Sequence, residues 1–90
     1  MNNEIKNITV IGLGYVGLVT ALCLASKGYN VMGVDRIAEI VENITQGQIH
    51  FYEPKLDDLL KESFETKRFS ASDSYQEAVR KAELIFITVG

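Results

Sequence analysis

The sequence is poor in the residues that build disulfide scaffolds and metal clusters. Among its 90 residues there is no tryptophan, and cysteine, proline and histidine occur once each. Cys23 alone cannot form an internal disulfide and supplies a single thiolate, which excludes a disulfide framework and a cysteine-rich zinc site. We therefore predict no metal site.

Long apolar runs and an excess of basic charge are also missing. No apolar stretch approaches the ~18 residues of a membrane span, and residues 1–4 lack the basic start of a signal peptide, so we expect a cytoplasmic protein with no membrane partner. Nine basic residues against twelve acidic ones give a net charge of −3 without a basic block, which argues against a nucleic-acid partner. The remaining composition, 47% hydrophobic and 23% charged, is typical of a globular chain.

The apolar pattern predicts strands that alternate with helices. Short β-branched runs predict strands over residues 6–11, 31–35, 68–71 and 84–89. Helical periodicity, a proline suited to a first turn and a capping-box spacing predict helices over residues 18–27, 37–44 and 54–64 and from residue 74. The alternation predicts the α/β class with a doubly wound parallel sheet. A complete sheet of this type has about six strands, so we expect the predicted strands to be part of a larger sheet.

A glycine motif joins the first predicted strand to the first predicted helix. Gly12 is placed for the tight turn, Gly14 for close approach of a pyrophosphate, and Gly17 for close packing of the helix on the strand. The helix start carries no side chain suited to capping, so the backbone N–H groups of Tyr15 and Val16 are free for a phosphate. In this context the motif predicts a Rossmann-type dinucleotide site, and the alternative is a glycine-rich structural turn.

Asp35 ends the second predicted strand, near the ~20-residue spacing from the motif that is expected of a ribose-binding acid. A carboxylate there accepts hydrogen bonds from ribose hydroxyls and repels a 2′-phosphate, which favours NAD over NADP. Arg36 could attract such a phosphate, but we interpret it as a solvated or adenine-stacking residue. The alternative role of Asp35 is a cap for the helix that begins near Ile37, and both roles are compatible.

The strand over residues 84–89 is the most apolar, and we expect it to be buried on both faces of the sheet. Thr88, Val89 and Gly90 end it at the carboxyl edge, where open α/β sheets bind ligands, so we expect them to line the cofactor cleft. In a strand order of 3-2-1-4 this strand is also an open edge that can pair with a second copy, and we expect a homo-oligomer.

Several segments resemble the UDP-glucose/GDP-mannose dehydrogenase family. The similar segments are Ile-Gly-Leu-Gly-Tyr-Val-Gly-Leu at 11–18, Gly-Val-Asp at 33–35, residues 44–49, Tyr-Glu-Pro-Lys-Leu at 52–56 and Phe-Ile-Thr-Val-Gly at 86–90. The glycine motif is shared by many dehydrogenases, whereas the Glu53-Pro54 segment is more specific. Lys55 replaces a usual glycine and residues 49–51 replace a common Ser-Pro-Ile, so the sugar substrate within the family stays open.

The resemblance implies that residues 1–90 are the N-terminal portion of the NAD-binding domain of a nucleotide-sugar 6-dehydrogenase. Such an enzyme oxidises UDP-glucose, or a related UDP-hexose, to the uronic acid in two NAD-dependent steps and serves polysaccharide biosynthesis. The family's catalytic cysteine and lysine lie beyond residue 90, so we assign no catalytic residue here and expect the isolated chain to be inactive. Cys23 is interpreted as a small core residue, His50 as a bystander and Glu53 as a helix cap.

Two other interpretations remain open. A hydroxyacid, 6-phosphogluconate or hydroxyacyl-CoA dehydrogenase shares the glycine motif, although the Glu53-Pro54 segment argues against these enzymes. A non-catalytic dinucleotide-binding module, such as a ligand sensor, is an alternative of a different class.

Overall fold

Strands and helices alternate along residues 5–88, which are the residues that a computed structural model describes. The strands are β1 (Asn7–Ile11), β2 (Asn30–Val34), β3 (Phe69–Ser72) and β4 (Leu84–Ile87). The helices are α1 (Tyr15–Ser26), α2 (Ala38–Thr45), α3 (Pro54–Glu65) and α4 (Tyr75–Lys81). The predicted α/β class and the order β-α-β-α-α-β-α-β are confirmed, with element ends shifted by a few residues.

The four strands form one parallel sheet in the order β3-β2-β1-β4, as predicted. β1 lies between β2 and β4, and its last residue, Ile11, pairs with Val34 on one side and Ile87 on the other. The residues that follow these three strands therefore leave the sheet at the same edge. This register places the glycine motif between the chain segments that contain Asp35 and Thr88.

The core lies between the sheet and the helix layer formed by α1 and α3. α1 packs on β1, β2 and α3, and it buries Leu18, Ala21, Leu22 and Ala25 at helical spacing. Other core residues are Ile8, Val10, Val31, Ile44, Leu56, Leu60 and Phe69. Burying one such aliphatic or aromatic side chain contributes about 1.5–3 kcal/mol. α4 packs on β1 and β2, where the buried Thr9 hydroxyl donates to the Ala78 carbonyl at 2.8 Å.

The first three helices end in one hydrogen-bond pattern, in which the two residues after the C-cap donate back into the last turn. Glycine occupies the left-handed position after α1 and α2, whereas Lys67 occupies it after α3 with φ 59°. Arg68 N–H then donates to the Ser63 carbonyl at 2.9 Å, which holds Lys67 in that conformation. Lys67 is the one residue other than glycine with positive φ within 5–88.

Two burial predictions were wrong. The side chains of β4 are between 37% and 70% exposed rather than buried, because β4 is an edge strand and the described helices pack on the other strands. Cys23 is exposed rather than a core residue. α1 is apolar all round, so its composition alone does not show that the sheet-facing positions are those of Leu18, Ala21 and Leu22.

None of the helices within residues 5–88 has the length and apolar character needed to cross a membrane.

Candidate functional site

Three chain segments meet at the carboxyl edge of the sheet. The loop Gly12–Gly14 follows β1, Asp35 follows β2, and Thr88 follows β4. Hydrogen bonds join the loop after β1 to both Asp35 and Thr88. In open α/β sheets the crevice outside the carboxyl ends of the strands is where ligands bind.

The loop after β1 makes the tight turn predicted at Gly12. Gly12 has φ +99°, and its N–H donates to the Val34 carbonyl at 2.7 Å. A Cβ on Gly12 would collide with the backbone carbonyl of Thr88, so both the conformation and the space favour glycine. A Cβ on Gly17 would overlap the Gly12 carbonyl oxygen. α1 therefore packs directly against the loop that follows β1, whereas the prediction for Gly17 was close packing on the strand itself.

The start of α1 presents backbone donors beside open space. Gly14 is the N-cap residue, and no side chain forms a cap hydrogen bond there. Within residues 5–88 the N–H groups of Tyr15, Val16 and Gly17 have no hydrogen-bond acceptor, and the first turn carries no acidic residue. A Cβ on Gly14 would meet nothing within 4 Å. Unpaired N–H groups at the positive end of a helix make this a site for an anion.

Leu13 fixes the loop to the core. Its side chain is fully buried, and a Cβ added to Gly33 on β2 would lie 2.7 Å from the Leu13 Cδ2 atom. The Leu13 side chain thus occupies the space that Gly33 leaves open next to Phe69. No role for Leu13 was predicted from the sequence. The signal that could have revealed its role is a glycine inside a strand, which marks a close approach by another group.

Asp35 is only 8% exposed, and its carboxylate is shared between two backbone N–H groups. Oδ2 accepts from Leu13 N–H at 2.8 Å, and Oδ1 accepts from Ile37 N–H at 2.9 Å. The second bond closes a turn just before α2, whose N-cap residue is Ile37 and has no side-chain cap hydrogen bond, so the alternative prediction of Asp35 as the helix cap is wrong. A carboxylate has about four lone-pair sites, so both oxygens retain capacity for a further donor. Arg36 is exposed to solvent.

Thr88 is tied to the end of β1. Its N–H donates to the Ile11 carbonyl at 2.8 Å, and its hydroxyl has two possible acceptors, the Gly12 carbonyl at 2.9 Å and the more distant Ile11 carbonyl at 3.3 Å. The hydroxyl is thereby directed at the loop backbone, a role that the sequence analysis did not foresee. The other two residues predicted at this position, Val89 and Gly90, lie outside the described residues.

The geometry at this edge agrees with what comparison with known proteins shows. Residues 6–90 match the UDP-glucose/GDP-mannose dehydrogenase family, NAD binding domain. The chain belongs to this family. The match supports it over the hydroxyacid, 6-phosphogluconate and hydroxyacyl-CoA dehydrogenases, and NAD is the cofactor of the matched domain.

Relatives in the UDP-glucose/GDP-mannose dehydrogenase family include two enzymes of Pseudomonas aeruginosa. The chain is 41% identical to its UDP-glucose 6-dehydrogenase and 40% identical to its GDP-mannose 6-dehydrogenase, over 92% of this chain in each case. It spans 18% and 19% of their respective lengths, about a fifth. A solved UDP-glucose dehydrogenase from the hyperthermophilic archaeon Pyrobaculum islandicum matches with a TM-score of 0.91 at 39% identity, covering 97% of this chain and 20% of that one. These similarities confirm the Rossmann-type fold.

An aromatic cluster lies beside the glycine loop of this family member. The ring centroids of Tyr15 and Phe51 are 5.1 Å apart, and those of His50 and Phe51 are 4.9 Å apart in an edge-to-face arrangement. The segment between α2 and α3 therefore reaches the start of α1. The interpretation of His50 as a bystander overlooked this contact.

Of the two remaining predictions for helix-capping side chains, one is wrong and one is confirmed. Glu53 is the N-cap residue of α3, but its side chain makes no cap hydrogen bond, so the predicted side-chain cap is wrong. Ser74 caps α4 as predicted, accepting from Glu77 N–H at 3.4 Å. Within residues 5–88 no group of three or more His, Cys, Asp or Glu side chains is placed to hold a metal ion.

One carboxylate lies at the amino edge of the sheet, away from the glycine loop. Glu83 Oε1 accepts from the N–H groups of Lys6 and Asn7, each at 2.9 Å. The Lys6 N–H, followed by the Asn7 N–H, lowers the pKa of Glu83 below its ordinary value. This bond ties β4 to the start of β1 and has no part in the candidate site.

Proposed function

We propose that the carboxyl edge of this sheet is the NAD site of a nucleotide-sugar 6-dehydrogenase. The enzyme oxidises UDP-glucose, or a related UDP-hexose, to the uronic acid with two NAD per turnover. The observation that carries the site is the α1 start, where unpaired N–H groups adjoin the open space at Gly14. The 41% identity to a UDP-glucose 6-dehydrogenase supports the reaction class.

The residues present fit the cofactor's two polar parts. The N–H groups of Tyr15 and Val16, with the bare backbone of Gly14, hold the pyrophosphate at the helix N-terminus. The Asp35 carboxylate accepts from the adenosine ribose and disfavours a 2′-phosphate, so NAD is preferred to NADP. When bound, NAD supplies the hydride acceptor, and this chain's own groups bind and orient it.

Other residues of the site have supporting roles. Arg36 is exposed beside Asp35 and is available to the adenine. Thr88 borders the cofactor cleft from the β4 side, and the same role predicted for Val89 and Gly90 concerns residues outside the described range. The catalytic and substrate-binding residues belong to other parts of a longer protein, because the chain spans only 18% of the Pseudomonas UDP-glucose 6-dehydrogenase. That protein is a cytoplasmic homo-oligomer in nucleotide-sugar metabolism, which supplies polysaccharide biosynthesis.

Calorimetric titration of Gly14→Val with NAD tests the site. A Cβ at residue 14 would meet no atom within 4 Å, so the variant should fold, with a melting temperature lowered only by the poorer N-cap residue, and yet lose NAD binding. Gly47→Asn is a matched control, because its Cβ also meets nothing within 4 Å, asparagine tolerates positive φ, and the residue lies after α2. Normal NAD affinity in Gly14→Val would place the pyrophosphate elsewhere.

The reaction class is tested in the longer protein with UDP-glucose, other UDP-hexoses and GDP-mannose as substrates and NAD or NADP as oxidant. We expect NADH formation with a UDP-hexose. If none of the sugar nucleotides in the set supported NADH formation, the proposal would be contradicted. The 90-residue chain alone should show no turnover, since no residue in it is assigned a catalytic role.

A further inference from the structure

One peptide unit of the glycine loop is held at both of its polar ends. The Gly12 carbonyl accepts from the Thr88 hydroxyl at 2.9 Å, and the Leu13 N–H of the same peptide donates to Asp35 Oδ2 at 2.8 Å. Thr88 follows β4 and Asp35 follows β2, and these strands flank β1 on opposite sides. A trans peptide directs its C=O and N–H in opposite directions, so the two partners suit this geometry.

We propose that Thr88 and Asp35 lock the Gly12–Leu13 peptide in the orientation that the anion site requires. Thr88 is thus a positioning residue for NAD that acts through the loop backbone. The inference rests on the proposed NAD site and adds to it a specific role for a hydroxyl of the β4 end.

The lock acts at the point of the loop with the least intrinsic rigidity. Gly12 has φ +99°, and a glycine populates positive and negative φ with little difference in energy. Backbone sterics at Gly12 therefore do not select one peptide orientation, which is left to the hydrogen bonds at both ends of the peptide and to the packing of the buried Leu13 side chain. A loop ordered before the ligand arrives loses less conformational entropy when the ligand binds.

The two flanking glycines leave room for this hydroxyl. A Cβ on Gly12 or on Gly17 would lie 2.7 Å from the Thr88 Oγ1 atom. A Cβ at either position would therefore be too close to the Thr88 hydroxyl. The Thr88 N–H bond to Ile11 continues the pairing of β1 with β4 and fixes the Thr88 backbone beside the loop.

The lock is tested in the full chain without nucleotide, by hydrogen exchange of the Leu13 amide. Thr88→Val keeps the shape and removes the hydroxyl, so we expect Leu13 exchange about five- to tenfold faster, as loss of one hydrogen bond implies. Thr88→Ser should stay close to the wild type. Thr45→Val is the matched control, because it removes a hydroxyl bond to the Val41 carbonyl in α2, remote from the loop.

NAD titration then tests the positioning role. We expect affinity about five- to tenfold weaker in Thr88→Val and near wild type in Thr88→Ser and Thr45→Val. With Asp35→Ala, the loss in the double variant should be smaller than the product of the single losses, because both side chains act on one peptide.

The outcomes separate the two proposals. Leu13 exchange that is unchanged in Thr88→Val would overturn the lock. Faster exchange with unchanged NAD affinity would overturn the positioning role. A wild-type chain that binds no NAD would overturn the proposed site, while the exchange data would still decide on the lock. If Thr88→Val does not fold, Leu13 exchange and NAD affinity are compared between Thr88→Ala, which lacks the hydroxyl, and Thr88→Ser, which keeps it.

Discussion

Asp35 should stabilise the fold as well as select the cofactor. Replacement by alanine leaves two N–H groups without their acceptor, those of Leu13 and Ile37. Leu13 is fully buried, so its N–H becomes an unsatisfied buried donor, which costs about 1–3 kcal/mol of stability. The Ile37 N–H belongs to an exposed residue, so water can replace its lost acceptor. We therefore expect Asp35→Ala to lower the free energy of unfolding by about 1.5–3 kcal/mol, since the lost bonds are made to a charged group.

Thermal unfolding in the absence of nucleotide measures this effect. For a domain of this size, 1 kcal/mol corresponds to about 4–8 °C in Tm, so a fall of roughly 6–24 °C is expected. Asp73→Ala is a suitable control, because Asp73 is an exposed acid that precedes α4. Asp35→Asn should be intermediate, since its single oxygen can serve only one of the two N–H groups at full strength.

The same variants separate stability from recognition. At a temperature where Asp35→Ala is folded, NAD affinity should fall about ten- to a hundredfold, the range for one charge-assisted hydrogen bond. The wild type should bind NAD more tightly than NADP, and the variant should lose that preference. An Asp35→Ala chain as stable as Asp73→Ala would refute the argument that the carboxylate holds the loop.

Three further changes test other features. Lys67→Gly should raise the free energy of unfolding by about 1 kcal/mol, because lysine is strained at φ 59°, and a lower Tm would contradict this. The pKa of Glu83 is lowered in the folded chain, so its contribution to stability is present above the ordinary pKa of 4.5 and is lost as the pH falls through the folded value. Glu83→Gln should flatten that acid-side loss in urea titrations at several pH values, and an unchanged slope would count against the bond to the β1 start. The 90-residue chain should self-associate through β4 in light scattering, and Ile85→Lys should reduce this more than Val79→Lys on α4, whereas equal effects would point to another surface.

Much of the fold follows from patterns that act over a few residues. β-branched runs and helical spacing are local, and the alternation of strands with helices leaves few alternatives to a parallel sheet. The meeting of Gly12, Asp35 and Thr88 at one edge was predictable for the same reason, because all three follow parallel strands.

The features that the sequence did not reveal depend on the direction of individual side chains and on which elements pack against them. Nothing in the local pattern shows that the Thr88 hydroxyl donates to the Gly12 carbonyl, or that Asp35 accepts from Leu13 N–H. Cys23 was misplaced because a uniformly apolar helix gives no preferred face. The apolar side chains of β4 indicated burial, yet burial requires a partner that none of the described elements provides.

The contact between Leu13 and Gly33 constrains how the loop can change. These two positions share one small volume, since a Cβ at residue 33 would lie 2.7 Å from the Leu13 Cδ2 atom and 3.1 Å from a Phe69 ring carbon. Alanine at residue 33 requires the end of the Leu13 side chain to shift or to be shortened, so the two positions should be coupled. Leu13 stands between two glycines at a position that the glycine motif leaves unspecified. Its size is nevertheless constrained by Gly33, a strand residue twenty positions further along the chain.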